Sequence, residues 1–308
     1  MVNFEGGQTD IRMVKAARGR GEKTMPVTLV VGQDPVTWMV SSSRVPSRLR
    51  NRGPLDELAV AGGIRGKAIE VVATEDGQFN VPAHSEIIIE GTVDLYNMEE
   101  EGPYHEMYGY LGHKKDENFV MTVNTVTHRE NPWVMNSFTG VVQEYVTAAQ
   151  RADIIYNLRK RHPQVVDYHT PNDSQGLAYI SIKKDAPGQA MEIARPIAMF
   201  NPLARITIVV DDDIDVLDSA AVRFAVGSRW QPALASEIIE KRPAFPLDPA
   251  SPDRKTTSKI IIDATRQWPE EGGPAVYQQL NRTVFEEAQP DAVERAIARW
   301  PDKLRRDG

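Results

Sequence analysis

The sequence predicts a mixed α/β (α+β) fold, with a strand-rich first half and an α/β second half joined by a long helical segment. Three observations support this prediction. In the first half, stretches of β-branched residues alternate with glycine and proline, which is typical of a sheet or barrel. Apolar residues at helical spacing then run from Ser137 to Pro163. Beyond them, strand and helix patterns alternate, as they do in α/β domains.

The first half opens with a predicted helix that Thr9 or Asp10 can cap, because Ile11, Val14 and Ala17 recur at helical spacing. A buried strand, "MPVTLVVG", and a short helix after Asp34-Pro35 follow. The next helix, "LDELAVAGGIRG", ends at its glycines. Three further predicted strands complete this half: "KAIEVVAT", "SEIIIEGTVDLY" and "NFVMTVNTVTHRE".

The second half alternates strands and helices after the long helical segment. The predicted elements are the strand "GLAYISIKK", the helix "QAMEIARPIAMF", the strand "ARITIVVDDDID" and the helix "SAAVRFAVGSRW", which Ser219 would cap. Lys241 to Lys259 is rich in proline and charge and is expected to be a connector. The tail is predicted to be helical from about Pro274.

Composition limits the classes of function. The 308 residues are 41% hydrophobic, enough for one or two domains with a sizeable core. A net charge of -7 argues against nucleic acid or an anionic membrane as partner, because both require a basic face. The arginine-rich stretch Ser43 to Gly53 is the exception and is expected to be a solvated loop. With no cysteine, disulfides, thiolate metal sites and a cysteine nucleophile are excluded. No signal-peptide or membrane-spanning apolar run is present, so a cytoplasmic location is expected.

Most familiar chemical motifs are absent. The acidic run "VVDDDIDV" offers oxygen ligands for Mg²⁺ or Ca²⁺, but it lacks the spacing of a calcium loop, so solvated acids at a strand end are expected. The six histidines show no zinc-binding spacing. No nucleotide-binding glycine motif and no serine-hydrolase motif occurs.

The stretch "EGPYHEMYGY" places Glu101 and Glu106 in a chain bent by Gly102-Pro103. Two nearby carboxylates do not both ionise easily, so one of them can stay protonated near neutral pH and donate a proton. A solvated loop is the other interpretation, and the residues alone favour it because isolated carboxylate pairs are common.

The same stretch resembles the E-G-P-[FY]-x-E-x-x-G-Y signature of the UbiD family of prenylated-flavin-dependent (de)carboxylases. Further blocks resemble that family in the same order: "MPVTLVVGQDP", "LDELAVAGGIRGKAIEVV", "VPAHSEIIIEG", "IVVDDDIDVLDSAAVRFAVGSRWQP" and "SKIIIDATRQWPEE". The resemblance implies a UbiD-like fold with a split β-barrel flavin domain, a linking helix and an α/β oligomerisation domain. We therefore predict these three parts at residues 1–136, 137–165 and 166–308 respectively.

The resemblance also implies roles for individual residues. Glu106 would be the proton donor that replaces CO₂ on the substrate carbon, and Glu101 would hold the network with an arginine. Glu57 falls on the family's metal-binding glutamate, whose metal, Mn or Mg, bridges protein and flavin phosphate; potassium is a further candidate ion. The segment from Ser41 to Pro46, with Ser41, Ser42 and Ser43, falls on one that lines the cofactor. The implied substrate is an aromatic, heteroaromatic or α,β-unsaturated carboxylic acid.

The chain departs from the family pattern at its beginning. It resembles the C-terminal two-thirds of such enzymes, without a match to the segment that carries the catalytic arginine and the metal-binding asparagine. Asp10 stands where the family has a metal-binding histidine; it can offer an oxygen ligand or cap a helix. Arg12, Arg18 and Arg44 are candidate substitutes for the arginine, and nothing in the sequence selects one.

Three interpretations follow from this departure. The first, and favoured, is a subunit of a heteromeric enzyme whose partner polypeptide, a second UbiD-like chain or an N-terminal segment, supplies the arginine and shares the metal. The second is a non-catalytic scaffolding subunit of such a complex. The third is a self-sufficient decarboxylase with a rebuilt site. Each implies an oligomer, and the catalytic ones need a flavin prenyltransferase to supply the cofactor.

Overall fold

The computed structural model describes residues 9–41, 48–49, 52–54, 56–134, 147–171 and 174–300. Its helices are α1 (Thr9–Gly19), α2 (Pro35–Ser41), α3 (Glu57–Arg65), α4 (Thr147–Arg161), α5 (Gln189–Phe200), α6 (Ser219–Arg229), α7 (Asn281–Ala288) and α8 (Ala292–Arg299). Its strands are β1 (Thr24–Val31), β2 (Arg48–Leu49), β3 (Arg52–Pro54), β4 (Val71–Ala73), β5 (Asn80–Pro82), β6 (Ile87–Glu101), β7 (Lys115–His128), β8 (Val165–His169), β9 (Leu177–Ile182), β10 (Ile206–Asp211), β11 (Ser236–Pro243) and β12 (Thr256–Asp263). This order confirms the predicted mixed α/β class.

The first half is built on a three-stranded antiparallel sheet with β6 between β1 and β7. Helix α1 covers one face of this sheet, because Val14 and Ala17, three residues apart, share one side of the helix. They pack against Val93, Leu95 and Phe119, which are nearly or fully buried. The sheet thus holds the long hairpin formed by β6 and β7, and the stretch "EGPYHEMYGY" lies at the tip of that hairpin.

Backbone contacts inside this sheet explain the last two residues of the block "EIIIEG", Glu90 and Gly91. Glu90 is 2% exposed, and its carboxylate accepts the backbone N–H groups of Glu75 at 3.0 Å and Asp76 at 3.1 Å. It thereby satisfies the turn between β4 and β5. At Gly91 the pairing of β6 with β7 shifts register, and a Cβ placed there would stand 2.1 Å from the carbonyl oxygen of Thr122. Only glycine allows that approach.

The second half is a three-layer α/β arrangement. Its five-stranded sheet has the order β11-β12-β10-β9-β8, with β10 parallel to β9 and β12. Alternate residues of the central strands point to opposite faces. One face packs against α4 and α5 through a buried set that includes Ala178, Ile180, Val209, Ile261, Ile193 and Ala194. The other face packs against α6 through a second buried set that includes Tyr179, Ile208, Val210, Ile262, Val222 and Ala225.

Helices α2 and α3 pack against each other. Asp34 caps α2 by accepting the N–H groups of Val36 and Thr37, and it forms an ion pair with Arg65 at the end of α3 at 3.2 Å. The start of α2 therefore meets the end of α3. Helix α3 stops at Gly66, which has a φ of 69°, as the sequence predicted.

Several boundaries predicted from the sequence are wrong. Ser219 is the first residue of α6, and the cap is Asp218, whose Oδ1 accepts the N–H of Ala220 at 2.8 Å. Strands β2, β3, β5, β8, β11 and β12 were not predicted, and β11 and β12 reach into both ends of the expected connector from Lys241 to Lys259. Strand β11 was missed because Glu240, Lys241 and Pro243 follow its two isoleucines, and β12 because polar residues form its first half.

The tail contains two short helices, α7 and α8, as predicted in part, since the residues from Pro274 to Leu280 are not helical. Neither helix has a buried residue. Of the predicted helix from Ser137 to Pro163, the described portion is α4, and the stretch 135–146 lies outside the described residues. Within the described ranges, no helix has the length and apolar character needed to cross a membrane.

Candidate functional site

The glutamate hairpin, residues 101–115, closes the β6–β7 ribbon. Glu101 is the last residue of β6 and pairs with Lys115, the first residue of β7, so it belongs to a strand and not to a loop. Beyond the cis peptide bond Gly102-Pro103, the chain folds back on itself through three backbone hydrogen bonds. They join Glu106 N to Tyr110 O (3.1 Å), Gly109 N to Glu106 O (2.9 Å) and Gly112 N to Tyr104 O (2.8 Å).

Glu106 occupies the interior of this hairpin and is only 7% exposed. Burial raises the pKa of its carboxyl group above the ordinary value, because ionisation in a desolvated site is costly. The backbone N–H groups of Tyr108 and Met107 oppose this shift by stabilising the carboxylate. The N–H of Tyr108 stands 3.5 Å from Oε2, a long contact that leaves burial as the dominant effect.

Glu101 has a different environment. Its side chain accepts a hydrogen bond from the amide of Asn118, which is 3% exposed at the facing end of β7. Tyr104 is largely exposed, and partial desolvation followed by a hydrogen bond to Glu101 raises the pKa of its hydroxyl. Glu101 is therefore held by polar partners, whereas Glu106 is surrounded by backbone and half-buried side chains. This division provides one carboxyl that favours its neutral form and one fixed hydrogen-bond acceptor.

Two further predicted site residues, Ser41 and Glu57, are the last residue of α2 and the first residue of α3. Glu57 is exposed in the first turn of α3, beside the cap Asp56, whose Oδ1 accepts the N–H of Ala59 at 2.6 Å. The hydroxyl of Ser41 donates to the carbonyl of Trp38 at 2.7 Å within its own helix. Ser42 and Ser43 lie outside the described residues, as does most of the arginine-rich stretch.

Among the arginines considered as substitutes, Arg18 is committed to the sheet. Its Nε donates to Leu95 O at 2.8 Å, and its guanidinium lies over the rings of Tyr96 and Phe119, at 5.2 Å and 5.6 Å from their centroids. Arg12 is exposed on α1, and Arg44 falls outside the described ranges. In the part of the chain that the structure describes, no group of three or more His, Cys, Asp or Glu side chains is placed to hold a metal.

The acidic run at the end of β10 is only partly solvated: Asp212, Asp213 and Asp215 are exposed, as the sequence predicted, whereas Asp211 is buried. Asp211 is 8% exposed, and both Asp211 and Asp213 accept hydrogen bonds from the guanidinium of Arg229, at 2.6 Å and 2.8 Å. Arg266 adds an ion pair to Asp213. These partners come from α6 and from the segment after β12, and no local pattern indicates them. Asp211 and Asp213 thus belong to a structural ion network with Arg229 and Arg266.

The sequence also missed Asn118 and the contacts that reach the glutamate hairpin from the second half. Burial most of all raises the pKa of Tyr108; the charge of Arg205 opposes this shift and that of Glu106 adds to it, so Tyr108 lies near both. The guanidinium of Arg254 is 3.0 Å from Nδ1 of His113. No local pattern indicates the pairs Tyr108–Arg205 and His113–Arg254, because 97 and 141 residues separate their members in the chain.

Comparison with known proteins assigns the chain to a family. Residues 2–142 match the model of the 3-octaprenyl-4-hydroxybenzoate carboxy-lyase Rift-related domain, and residues 145–264 match that of the carboxy-lyase C-terminal domain. Both models belong to the UbiD family. The chain therefore belongs to the UbiD family, as its motifs indicated.

Individual relatives agree with this assignment. An uncharacterized protein of Aeropyrum pernix is 34% identical over 261 residues, which are 82% of this chain and 52% of that protein. The UbiD-class enzyme HmfF of Pelotomaculum thermopropionicum, solved in complex with FMN, superposes with a TM-score of 0.77 at 25% identity. The match covers 90% of this chain and 61% of HmfF.

Two further solved structures share the fold at lower identity. They are the open form of the vanillic acid decarboxylase ShVdcCD of Sedimentibacter hydroxybenzoicus (TM-score 0.74, 23% identity) and apo 3,4-dihydroxybenzoic acid decarboxylase (AroY) of Klebsiella pneumoniae (TM-score 0.75, 22% identity). The matches cover 94% of this chain in both cases, and 62% and 63% of those chains. The chain thus spans about half the length of the curated relative and about three-fifths of the solved structures.

Proposed function

We propose that this chain carries the proton-transfer glutamates of a UbiD-type, prenylated-FMN-dependent carboxy-lyase that removes or adds CO₂ non-oxidatively. The observation that carries the proposal is Glu106, a buried carboxyl whose pKa is raised, in a hairpin that also holds Glu101. The family assignment supports this reaction class. The structures of HmfF in complex with FMN and, in an evolved dimeric form, with prenylated FMN support it as well.

The residues of the hairpin fit a reaction in which a proton replaces CO₂. Prenylated FMN, when bound, supplies the electron sink that decarboxylation requires. Glu106 then delivers a proton to the substrate carbon, and it can do so only in its neutral form, which burial favours. In the direction of carboxylation the same group removes that proton. Glu101, held by Asn118 and Tyr104, keeps a fixed acceptor next to the reaction site.

The proposed substrate is a small aromatic, heteroaromatic or α,β-unsaturated carboxylic acid, the classes implied by the family. Such an acid is an anion near neutral pH, so it needs a positive group to hold its carboxylate. Arg18 is engaged with Leu95 and two aromatic rings, and it is therefore a poor candidate for that task. We infer that the arginine comes from polypeptide outside the described residues, supplied by a partner chain.

Glu57 is the residue of this chain proposed to hold the metal. A carboxylate is a ligand that Mg²⁺ and Mn²⁺ favour. Glu57 is exposed at the start of α3, where its carboxylate can bind a metal ion. Ser41, Ser42 and Ser43 would lie toward the cofactor in the segment that follows α2. The other ligands would come from the partner chain, so that metal and flavin are shared between two polypeptides.

A scaffolding role is the second candidate function, because no arginine is seen to contact either glutamate in the described interactions. In that role the chain would hold a catalytic partner without binding flavin. The description of one fold relative as ShVdcCD, with a separate ShVdcD component, gives a precedent for a multi-component assembly of this class. A self-sufficient enzyme with a rebuilt site is the third alternative.

Native mass spectrometry separates these alternatives. The chain would be purified alone, and again after co-expression with its genomic neighbours and a flavin prenyltransferase. Flavin and metal found only in a complex with a second polypeptide would support the shared site. Flavin on this chain alone would favour the self-sufficient enzyme. A complex without flavin would contradict the proposed function and leave the scaffold.

A further inference from the structure

A loop from the second half of the molecule contacts the glutamate hairpin through a side-chain hydrogen bond. The clamp loop, defined as residues 244–256, joins β11 to β12. Its Arg254 donates a hydrogen bond of 3.0 Å to Nδ1 of His113, on the returning arm of the hairpin. Since a guanidinium can only donate, His113 accepts through Nδ1 and carries its proton on Nε2.

The clamp loop is rigidly organised around Asp253. The carboxylate of Asp253 accepts the N–H groups of Lys255 and Thr256, at 2.9 Å and 2.7 Å, and the hydroxyl of Thr256 at 2.8 Å. These bonds hold the pKa of Asp253 well below its usual range. A backbone bond of 2.9 Å from Ala244 to Lys255 closes the base of the loop.

This organisation places Arg254 in an unusual backbone conformation. Its φ is 56°, in the left-handed region that residues with a Cβ rarely adopt. Asp253 and the closing bond hold the residue there, on the segment that contacts the hairpin. A disfavoured conformation that persists at a contact is often retained for function.

Arg205, just before β10, anchors the clamp loop. Its guanidinium forms an ion pair with Asp248 of the clamp loop, and Asp248 is 6% exposed. The backbone N–H of Arg205 donates to the carbonyl of Gly176 at 2.8 Å, and its carbonyl accepts the N–H of Ile260 at 2.9 Å. Both the backbone and the side chain of Arg205 are therefore held in place. The charge of Arg205 acts on Tyr108, two residues beyond Glu106.

We propose that Arg254 and Arg205 are positioning residues for the Glu106 carboxyl. Arg254 holds the hairpin at His113, and Arg205 holds the clamp loop through Asp248, so the hairpin around Glu106 is fixed against the C-terminal half. The inference rests on the proposed function for its catalytic consequence, whereas the mechanical coupling between the loop and the hairpin does not depend on it. Neither residue touches the reacting atoms.

Hydrogen–deuterium exchange on the full chain tests the coupling without requiring activity. Arg254→Gly removes the side chain and places no strain on the backbone at φ 56°, so the loop should keep its fold while the contact is lost. We expect the amides of Glu106, Gly109 and Gly112 to exchange about fivefold faster, as loss of a modest hydrogen bond allows. Lys255→Gln, which removes a neighbouring exposed charge, is the control and should leave these amides unchanged.

A second variant guards against misfolding at Arg205. Replacing Arg205 alone would leave Asp248 buried without its charge partner, which can unfold the loop. The double variant Arg205→Gln/Asp248→Asn removes both charges and keeps both shapes. It should accelerate exchange in the hairpin while exchange in β9 and β10 stays as in the wild type.

The turnover of the flavin-loaded complex gives the catalytic readout. Both variants should lower kcat about tenfold or more with KM little changed, and Arg205→Lys should restore part of the rate, because it keeps the charge. Unchanged hairpin exchange in both variants would overturn the inference, and so would exchange that rises equally throughout the C-terminal half. Hairpin-specific acceleration in a complex that binds no flavin would support the coupling and contradict the proposed function.

Discussion

At the residue scale, the proposed chemistry of the protein depends on Glu106. The hairpin buries a carboxyl that the sequence alone presents as an ordinary loop acid, and burial is what raises its pKa. The same burial has a cost for the folded state. Because the folded pKa lies above the unfolded one, the group favours folding below its unfolded pKa, and this contribution is lost as pH rises through the folded pKa.

Glu106→Gln should therefore separate stability from activity. The amide cannot ionise, so the variant should melt at a higher temperature than the wild type at pH 8, and the difference should shrink toward pH 4. It should also abolish decarboxylation and substrate hydrogen exchange in the flavin-loaded complex while flavin stays bound. Thermal scans across this pH range and a turnover assay measure the two effects.

Glu99→Gln is the matched control for that variant, since Glu99 is exposed on β6, the strand that leads into the glutamate hairpin. It should change neither the turnover nor the pH dependence of melting. Normal turnover in Glu106→Gln would remove Glu106 from the mechanism. In the wild type, decarboxylation should decline as pH rises through the raised pKa of Glu106, because the neutral donor is then depleted.

At the scale of elements, close approach of β6 and β7 depends on Gly91. A Cβ there would stand 2.1 Å from the Thr122 carbonyl oxygen, a backbone atom that cannot move without disturbing the ladder. We expect Gly91→Ala to destabilise the protein by about 2–4 kcal/mol in urea unfolding. Gly63→Ala in α3, where nothing lies within 4 Å, should be stabilising by up to ~1 kcal/mol. Equal effects of the two changes would refute the steric argument.

The end of α5 is tied to β11 and β12 by two cations. Lys259, 3% exposed, donates to the Asn201 carbonyl at 2.5 Å, and Arg242 donates to the Met199 carbonyl at 3.0 Å. Cations are favourable at a helix C-terminus. Burial, with the nearby charge of Arg242, nevertheless lowers the pKa of Lys259 to about 8.

This lowered pKa predicts a pH-dependent stability. Below pH 8 the lysine is charged in both states, and the folded protein carries a penalty of about 3 kcal/mol. As pH rises from about 8 to 10.5, the folded state releases its proton first and stability increases. Urea unfolding of Lys259→Met should lack this increase relative to the wild type. Lys255→Met, at an exposed position, should retain it; an increase in both variants would assign it to other groups.

At the scale of the whole molecule, the buried residues form separate clusters. Leu95 belongs to the cluster beneath the first sheet, and Ile193 belongs to one between α5 and the second sheet. If the predicted division into domains holds, calorimetry should resolve two transitions. Leu95→Ala and Ile193→Ala should each cost about 2–5 kcal/mol and shift different transitions. A single transition that both variants shift equally would show one cooperative unit.

The amino-acid sequence by itself determined the mixed α/β class, most central strands and helices, the end of α3 at Gly66, and the family through its ordered motifs. These features depend on local patterns: apolar periodicity, turn residues and caps. It did not determine strands β8 and β11 or the cap of α6, where short or charged segments carry weak signals.

Only the tertiary structure decided how the polar residues are used. The sequence predicts solvated acids at Asp211 and Asp213, whereas in the structure both are paired with Arg229 from another element. The contact of Arg254 with His113 likewise joins parts that are distant in the chain. The raised pKa of Glu106 results from its burial in the folded hairpin. Burial and charge pairing depend on which groups meet in space, and a linear pattern does not contain that information.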